Sequence, residues 1–110
     1  MYSQCDIVLI PVPFSDLSSK NQRPVLIISN NHYNNLTEDI VVVAITSQLK
    51  DLDYSVILDT EDLTEGELKV TSAIRADKVY SLSKNLIAKK FGHVKQEVLE
   101  NVRLKINALI

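Results

Sequence analysis

The run IVVVAIT, Ile40 to Thr46, decides how this chain is read. It is short for a helix and dominated by β-branched residues, which lose rotamer freedom in helices and pack well on a pleated surface. It is apolar at both odd and even positions, so it reads as a strand covered on both faces and central to its sheet. Its flanks agree. Upstream, RPVLIIS (Arg23 to Ser29) is a second strand with Pro24 expected at its first residue, and DIVLIPVPF (Asp6 to Phe14) is a third, stopped by Pro11 and Pro13. The polar stretch Ser15 to Gln22 between them reads as a loop. Asn30 to Asp39 is turn-rich, with room for one helical turn.

Downstream, YSVILD (Tyr54 to Asp59) alternates and should have one solvated face, and TEDLTEGELK is a loop or short hairpin around Gly66. Val70 to Leu82 is strand-like with a polar interruption, and Leu86 to Val94 holds one more short strand. From Gln96 the period changes. Val98, Leu99, Val102, Ile106, Leu109 and Ile110 fall on one face of a helix, with Leu104 off it. Several short strands followed by one amphipathic helix predict a mainly β fold, a small antiparallel barrel or curled sheet whose open side the helix covers.

Composition narrows the function. A chain of 110 residues is expected to be a single domain, residues 1–110, and its apolar fraction of 45% suffices for one core. No stretch of about 18 apolar residues is present, so no membrane association is expected. The N-terminal MYSQCD has neither the basic start nor the apolar segment of a secretory leader. One cysteine, Cys5, cannot form an intramolecular disulfide, which points to a reducing, cytoplasmic home. The net charge of −2 argues against a wholly basic surface but permits a local basic face, since cations cluster from Arg75 to Lys95 and acids from Asp51 to Glu67.

Two histidines and one cysteine, with no pair at ligand spacing, predict no metal and no cofactor. With only two glycines, no Gly-rich phosphate loop is expected. His32 and His93 are conceivable as an acid–base pair, although both sit in loop-like contexts. Cys5 is better explained as a small apolar residue than as a nucleophile. Two polar groups at strand ends remain: Arg23 where one apolar strand begins, and Thr46, Ser47 and Gln48 where another ends. If the strands are adjacent and antiparallel, these groups converge, and a guanidinium beside hydroxyl and amide groups suits a phosphate. An edge ion pair at Arg23 and an ordinary turn at Thr46 to Gln48 would explain the same residues without any ligand.

The blocks DIVLIPVPFSDLS, QRPVLIIS, VVAITSQ and SAIRADKVYSLSKNLIAKKFGHV, then the closing LENVRLKINALI, resemble in this order the PemK/MazF family of toxins from type II toxin–antitoxin systems. The resemblance implies an SH3-like barrel of the PemK/CcdB type with a C-terminal helix, usually a homodimer. It implies a metal-free, ribosome-independent endoribonuclease that cuts single-stranded RNA at a short motif. A cognate antitoxin would neutralise it, and operator DNA would be bound only through the antitoxin complex. Arg23 and Thr46 match the family's catalytic arginine and threonine. Ser47, Gln48, Ser72, Asp77 and Lys78 match segments that contact RNA, and Lys20 is a further candidate from the first loop.

The chain departs from the family at two places. The usual Gly-Asp opening of the first strand is Cys5-Asp6. A glutamate that many members carry shortly before the arginine is Ser18 here, with no acid between Asp16 and Arg23. That loss leaves open a degenerate member that binds antitoxin and cuts nothing. A non-enzymatic gyrase poison of the same fold would end in a Trp-containing tip, whereas this chain has no Trp and ends NALI.

Overall fold

The computed structural model describes residues 1–11 and 21–110; Lys20, Ser18 and the expected run of the first strand on to Phe14 lie outside the described residues. The strands are β1 (Asp6–Pro11), β2 (Gln22–Ile27), β3 (Asp39–Thr46), β4 (Ser55–Leu58), β5 (Leu63–Glu65), β6 (Ser72–Ser83) and β7 (Lys89–Val94). A short helix α1 (Asn31–Leu36) links β2 to β3, and α2 (Gln96–Leu109) ends the chain. The strands form one seven-stranded sheet in the order β4-β6-β3-β2-β1-β7-β5, every ladder antiparallel, curled into a half-barrel.

Both faces of the curl carry apolar side chains, as the run at Ile40 requires. On one face Ile7, Leu26, Val43, Ile45 and Ile74 pack with Val98, Leu99 and Val102 of α2. On the other, Val8, Ile10, Val25, Ile27, Ile40 and Val42 form a second cluster closed by Tyr2, Tyr80, Leu86 and Ile87. The period-2 geometry of strands deals successive residues of β1, β2 and β3 to the two clusters in turn. Each fully buried aliphatic contributes roughly 1.5–3 kcal/mol. β3 is an interior strand with β6 on one side and β2 on the other, as its two apolar faces led one to expect.

Several boundaries differ for identifiable reasons. β2 starts at Gln22, so Pro24 is its third residue; the β1–β2 ladder runs to Gln22, whereas the β2–β3 ladder stops at Val25, next to the missing N–H. The Gly66 region is not a hairpin: β5 pairs with β7 instead. On α2, Val98, Leu99 and Val102 are buried and Ile106 packs against them, but Leu109 is exposed, as is Ile110 just after the helix. Leu104 is 66% exposed, on the opposite face as expected. Among the described residues no helix is long and apolar enough to cross a membrane.

Two departures from regular pairing shape the functional end. In β6, Val43 pairs with Val79 while the next residue of β3, Ala44, pairs with Arg75, so Ala76, Asp77 and Lys78 form a bulge. This is the polar interruption of the sequence. In β7, Ile7 pairs with Gly92 and Val8 with Lys90, which leaves Phe91 as the extra residue.

The start of β1 holds the most buried charge. Asp6 is 1% exposed; it accepts from the Ser3 N–H at 2.9 Å, meets His93 Nδ1 at 2.6 Å, and lies 3.3 Å from Lys90 Nζ. Burial alone would raise its pKa, but the hydrogen bonds from His93, Ser3 and Lys90 outweigh burial and hold the carboxyl below its ordinary value. Cys5, just before it, has φ of 77° in a turn closed by the Asp6 N–H donating to the Ser3 carbonyl at 3.0 Å. That backbone favours glycine, which gives the family's usual Gly-Asp opening a physical reason.

Candidate active site

Antiparallel pairing brings the start of β2, the end of β3 and the start of β6 to one end of the sheet. The β2–β3 ladder ends at the pair Val25–Ala44, so Arg23 and Thr46 lie just beyond it at the same end of the sheet. There a cleft of about 420 Å³ opens, lined by Arg23 and Pro24 from β2, Ile45 and Thr46 from β3 and Ser47 just after it, Glu67 to Val70 from the β5–β6 connection, Ser72 of β6 and Phe91 of β7. The convergence expected from the two polar strand ends therefore exists.

The side chains are placed for different tasks. Arg23 is exposed on a strand that Pro24 keeps extended, and it forms no ion pair with a described acid. Its donor fork is open to a ligand. Thr46 Oγ1 accepts from the Gln48 N–H at 3.1 Å, which fixes the hydroxyl while leaving its own proton to donate outward. Gln48 thus serves through its backbone, and its side chain is not part of the cleft wall. Ser47 is exposed at the rim. Ser72 is only 5% exposed and donates to the Val70 carbonyl at 3.2 Å, so it forms floor, not the solvated strand face that its polarity suggests.

Asp77 and Lys78 are carried out of the cleft wall by the β6 bulge. Arg75 grips Asp77 with two hydrogen bonds, Nε to Oδ1 at 3.0 Å and Nη2 to Oδ2 at 2.9 Å. That bond holds the Asp77 carboxyl below its ordinary pKa and pushes the Arg75 guanidinium up. Lys78 is exposed beside the pair.

Three groups in the cleft were not singled out from the sequence. Glu67 is the only carboxylate lining it among the described residues, Lys69 adds a second cation, and Phe91 supplies an aromatic ring. Nothing in the local pattern marked them: Glu67 lies in an acidic run, and Phe91 reaches the cleft through a register shift.

The residues considered for other chemistry lie elsewhere. His93 is bound to Asp6, and His32 is exposed on α1, so the two do not form a pair in the cleft. Cys5 is buried, and burial together with the Asp6 charge raises its thiol pKa and keeps it protonated, the reverse of an activated nucleophile. Among the described residues no group of three or more His, Cys, Asp or Glu side chains could hold a metal ion.

Comparison with known proteins adds an independent line. The family model described as PemK-like, MazF-like toxin of type II toxin–antitoxin systems matches residues 3–110. Comparison with curated proteins gives no match. Among solved structures, a mycobacterial endoribonuclease in complex with its cognate antitoxin superposes with a TM-score of 0.77 at 21% identity, covering 98% of this chain and 93% of that one. MazF in a MazE–MazF crystal structure from Deinococcus radiodurans gives 0.77 at 23% identity, with 98% and 93% covered. The Mycobacterium tuberculosis toxin MazF-mt6 gives 0.75 at 17% identity, with 94% and 93% covered. At these identities the likeness establishes the fold.

Proposed function

Since the chain belongs to the PemK-like, MazF-like toxin family of type II toxin–antitoxin systems, we propose that it is a toxin that cuts single-stranded RNA in the Arg23–Thr46 cleft without a metal ion. The observation that carries this reading is the meeting of an uncommitted guanidinium with an oriented hydroxyl at one end of the sheet. In the reaction the ribose 2′-oxygen bonds to the adjacent phosphorus while the bond from phosphorus to the 5′-oxygen breaks, which leaves a 2′,3′-cyclic phosphate and a 5′-hydroxyl. Arg23 holds the phosphate and stabilises the charge that builds on its oxygens, and Thr46 donates to a non-bridging oxygen. A guanidinium has no lone pair to spare for a proton and is no base at neutral pH. Glu67 therefore takes the 2′-hydroxyl proton, and water supplies the proton for the departing 5′-oxygen.

This assignment answers the missing loop acid. A carboxylate at the cleft wall supports an active enzyme over a degenerate copy that only binds antitoxin. Ser47 and Lys69 at the rim suit neighbouring phosphates and bases. Ser72 acts as support beneath them, and Asp77, Lys78 and Gln48 lie along the path the strand takes out of the cleft. Lys20 is offered as a phosphate contact from the first loop. The chain works as a single domain and a homodimer in the cytoplasm, neutralised by a cognate antitoxin and reaching operator DNA only through that complex. The antitoxin complexes of the mycobacterial and Deinococcus proteins support the partner.

The experiment is to incubate antitoxin-free protein with long single-stranded RNAs in chelator and to map new 5′ ends. Recurrent cuts at one short motif are expected. Absence of cutting across several RNAs would overturn the proposal.

A further inference from the structure

Phe91 is a large apolar residue left 36% exposed, and the single-residue bulge of β7 delivers it to the cleft that holds Arg23 and Thr46. An accidental exposed ring would sit on ordinary backbone. This one sits on a close-packed seam that uses both glycines of the chain. A Cβ on Gly66 would come within 2.6 Å of the Phe91 carbonyl oxygen, and a Cβ on Gly92 within 2.7 Å of the Glu65 carbonyl oxygen. The backbone at the end of β5 therefore touches β7 at the bulge and at the residue after it. With its carbonyl against Gly66, the surface that Phe91 offers is its ring. Pro24, Ile45, Leu68 and Val70 add apolar surface to the same cleft, which Arg23, Thr46 and Ser47 line with hydrogen-bond donors.

A cleft lined both by donors and by an aromatic, apolar surface suits a nucleotide, which carries a charged phosphate and a flat base. We propose that Phe91 is the base-stacking platform of this site and seats one unpaired nucleobase next to the phosphate held by Arg23. This inference rests on the nuclease reading and adds the group that selects single strands. A base within a duplex already stacks on its neighbours and cannot lie on the ring, whereas an unpaired base can be splayed onto it. Stacking on an aromatic ring tolerates any base, so Phe91 contributes affinity and strand selection, while motif choice is left to polar groups.

The test uses steady-state cleavage and a fluorescence probe. Phe91→Ala should raise KM about tenfold with kcat within about threefold, because loss of one stacking ring weakens binding by that order. Phe91→Leu keeps the apolar bulk and guards against a folding defect; it should stay close to Phe91→Ala, and Phe91→Tyr close to wild type. The chain contains no Trp, so Phe91→Trp in an Arg23→Ala background gives a single reporter in the cleft. Its emission should be quenched by a mixed-sequence single-stranded RNA, and not by the same RNA in a duplex or by inorganic phosphate. Wild type that cuts RNA while Phe91→Ala and Phe91→Leu keep the wild-type KM would overturn the platform and leave the nuclease reading standing. Full rescue by Phe91→Leu would also overturn it, by showing a packing role. Wild type that neither binds nor cuts RNA would overturn both.

Discussion

Gly66→Ala tests whether the seam beneath the cleft is as tight as described. Gly66 has φ of 88°, in the left-handed region where a Cβ costs roughly 1–2 kcal/mol. The added Cβ would also lie 2.6 Å from the Phe91 carbonyl oxygen and 3.0 Å from the Gly92 Cα. Both contacts are backbone, so no rotamer change relieves them and β5 must move away from β7. Against this, alanine restricts the unfolded chain and returns about 0.4–1 kcal/mol. A net loss of about 2–4 kcal/mol follows, a large share of the roughly 5–15 kcal/mol that holds a domain together. Urea unfolding followed by far-UV circular dichroism measures it. Gly92→Ala is the internal comparison, because it meets a similar backbone contact without a left-handed φ and should lose less. A Gly66→Ala protein within about 0.5 kcal/mol of wild type, the scatter expected of neutral surface changes, or one no weaker than Gly92→Ala, would refute the reasoning.

Three further outcomes follow from particular side chains. Asp6 has a folded pKa below its unfolded value, so its stabilising contribution is present above about pH 4 and is lost as pH falls through the depressed folded value. Asp6→Asn should lower stability at neutral pH and flatten its decline in acid, read from urea midpoints across pH. Ser55 Oγ is buried with no hydrogen-bond partner among the described residues, so Ser55→Ala should leave stability unchanged or raise it by up to about 1 kcal/mol in the same assay. Glu67→Gln keeps the size of the side chain but removes the proton acceptor. It should slow single-turnover cleavage about a hundredfold or more at neutral pH, with RNA binding retained.

Alternation and period made most of the fold legible. Ile40 to Thr46 is an interior strand, and Val98, Leu99, Val102 and Ile106 are the covered face of α2. What escaped depends on register. The β6 bulge carries Asp77 out to Arg75, and the β7 bulge carries Phe91 into the cleft, yet a bulge adds a residue without changing local hydrophobicity. The meeting of Arg23 with Thr46 was readable because it follows from antiparallel pairing alone. Glu67 was not, because the fold of the β5–β6 connection decides which acid of an acidic run faces the cleft. Leu109 and Ile110 obey the helical period yet are exposed, because period alone does not say how far along the helix the covered face runs.

The central claim is that the guanidinium of Arg23 stabilises the phosphoryl transition state. The direct measurement is the single-turnover rate on a single-stranded RNA in chelator, for wild type, Arg23→Lys and Arg23→Ala, with the product termini identified. Removing one well-placed donor to a developing oxyanion costs about 10²–10³ in rate. Arg23→Ala should fall by at least that much while its circular dichroism stays native, and Arg23→Lys should recover only part, because an ammonium lacks the planar fork. Wild type should yield 2′,3′-cyclic phosphate and 5′-hydroxyl ends. An Arg23→Ala protein that cuts at the wild-type rate, or wild-type products ending in 5′-phosphate, would contradict the account.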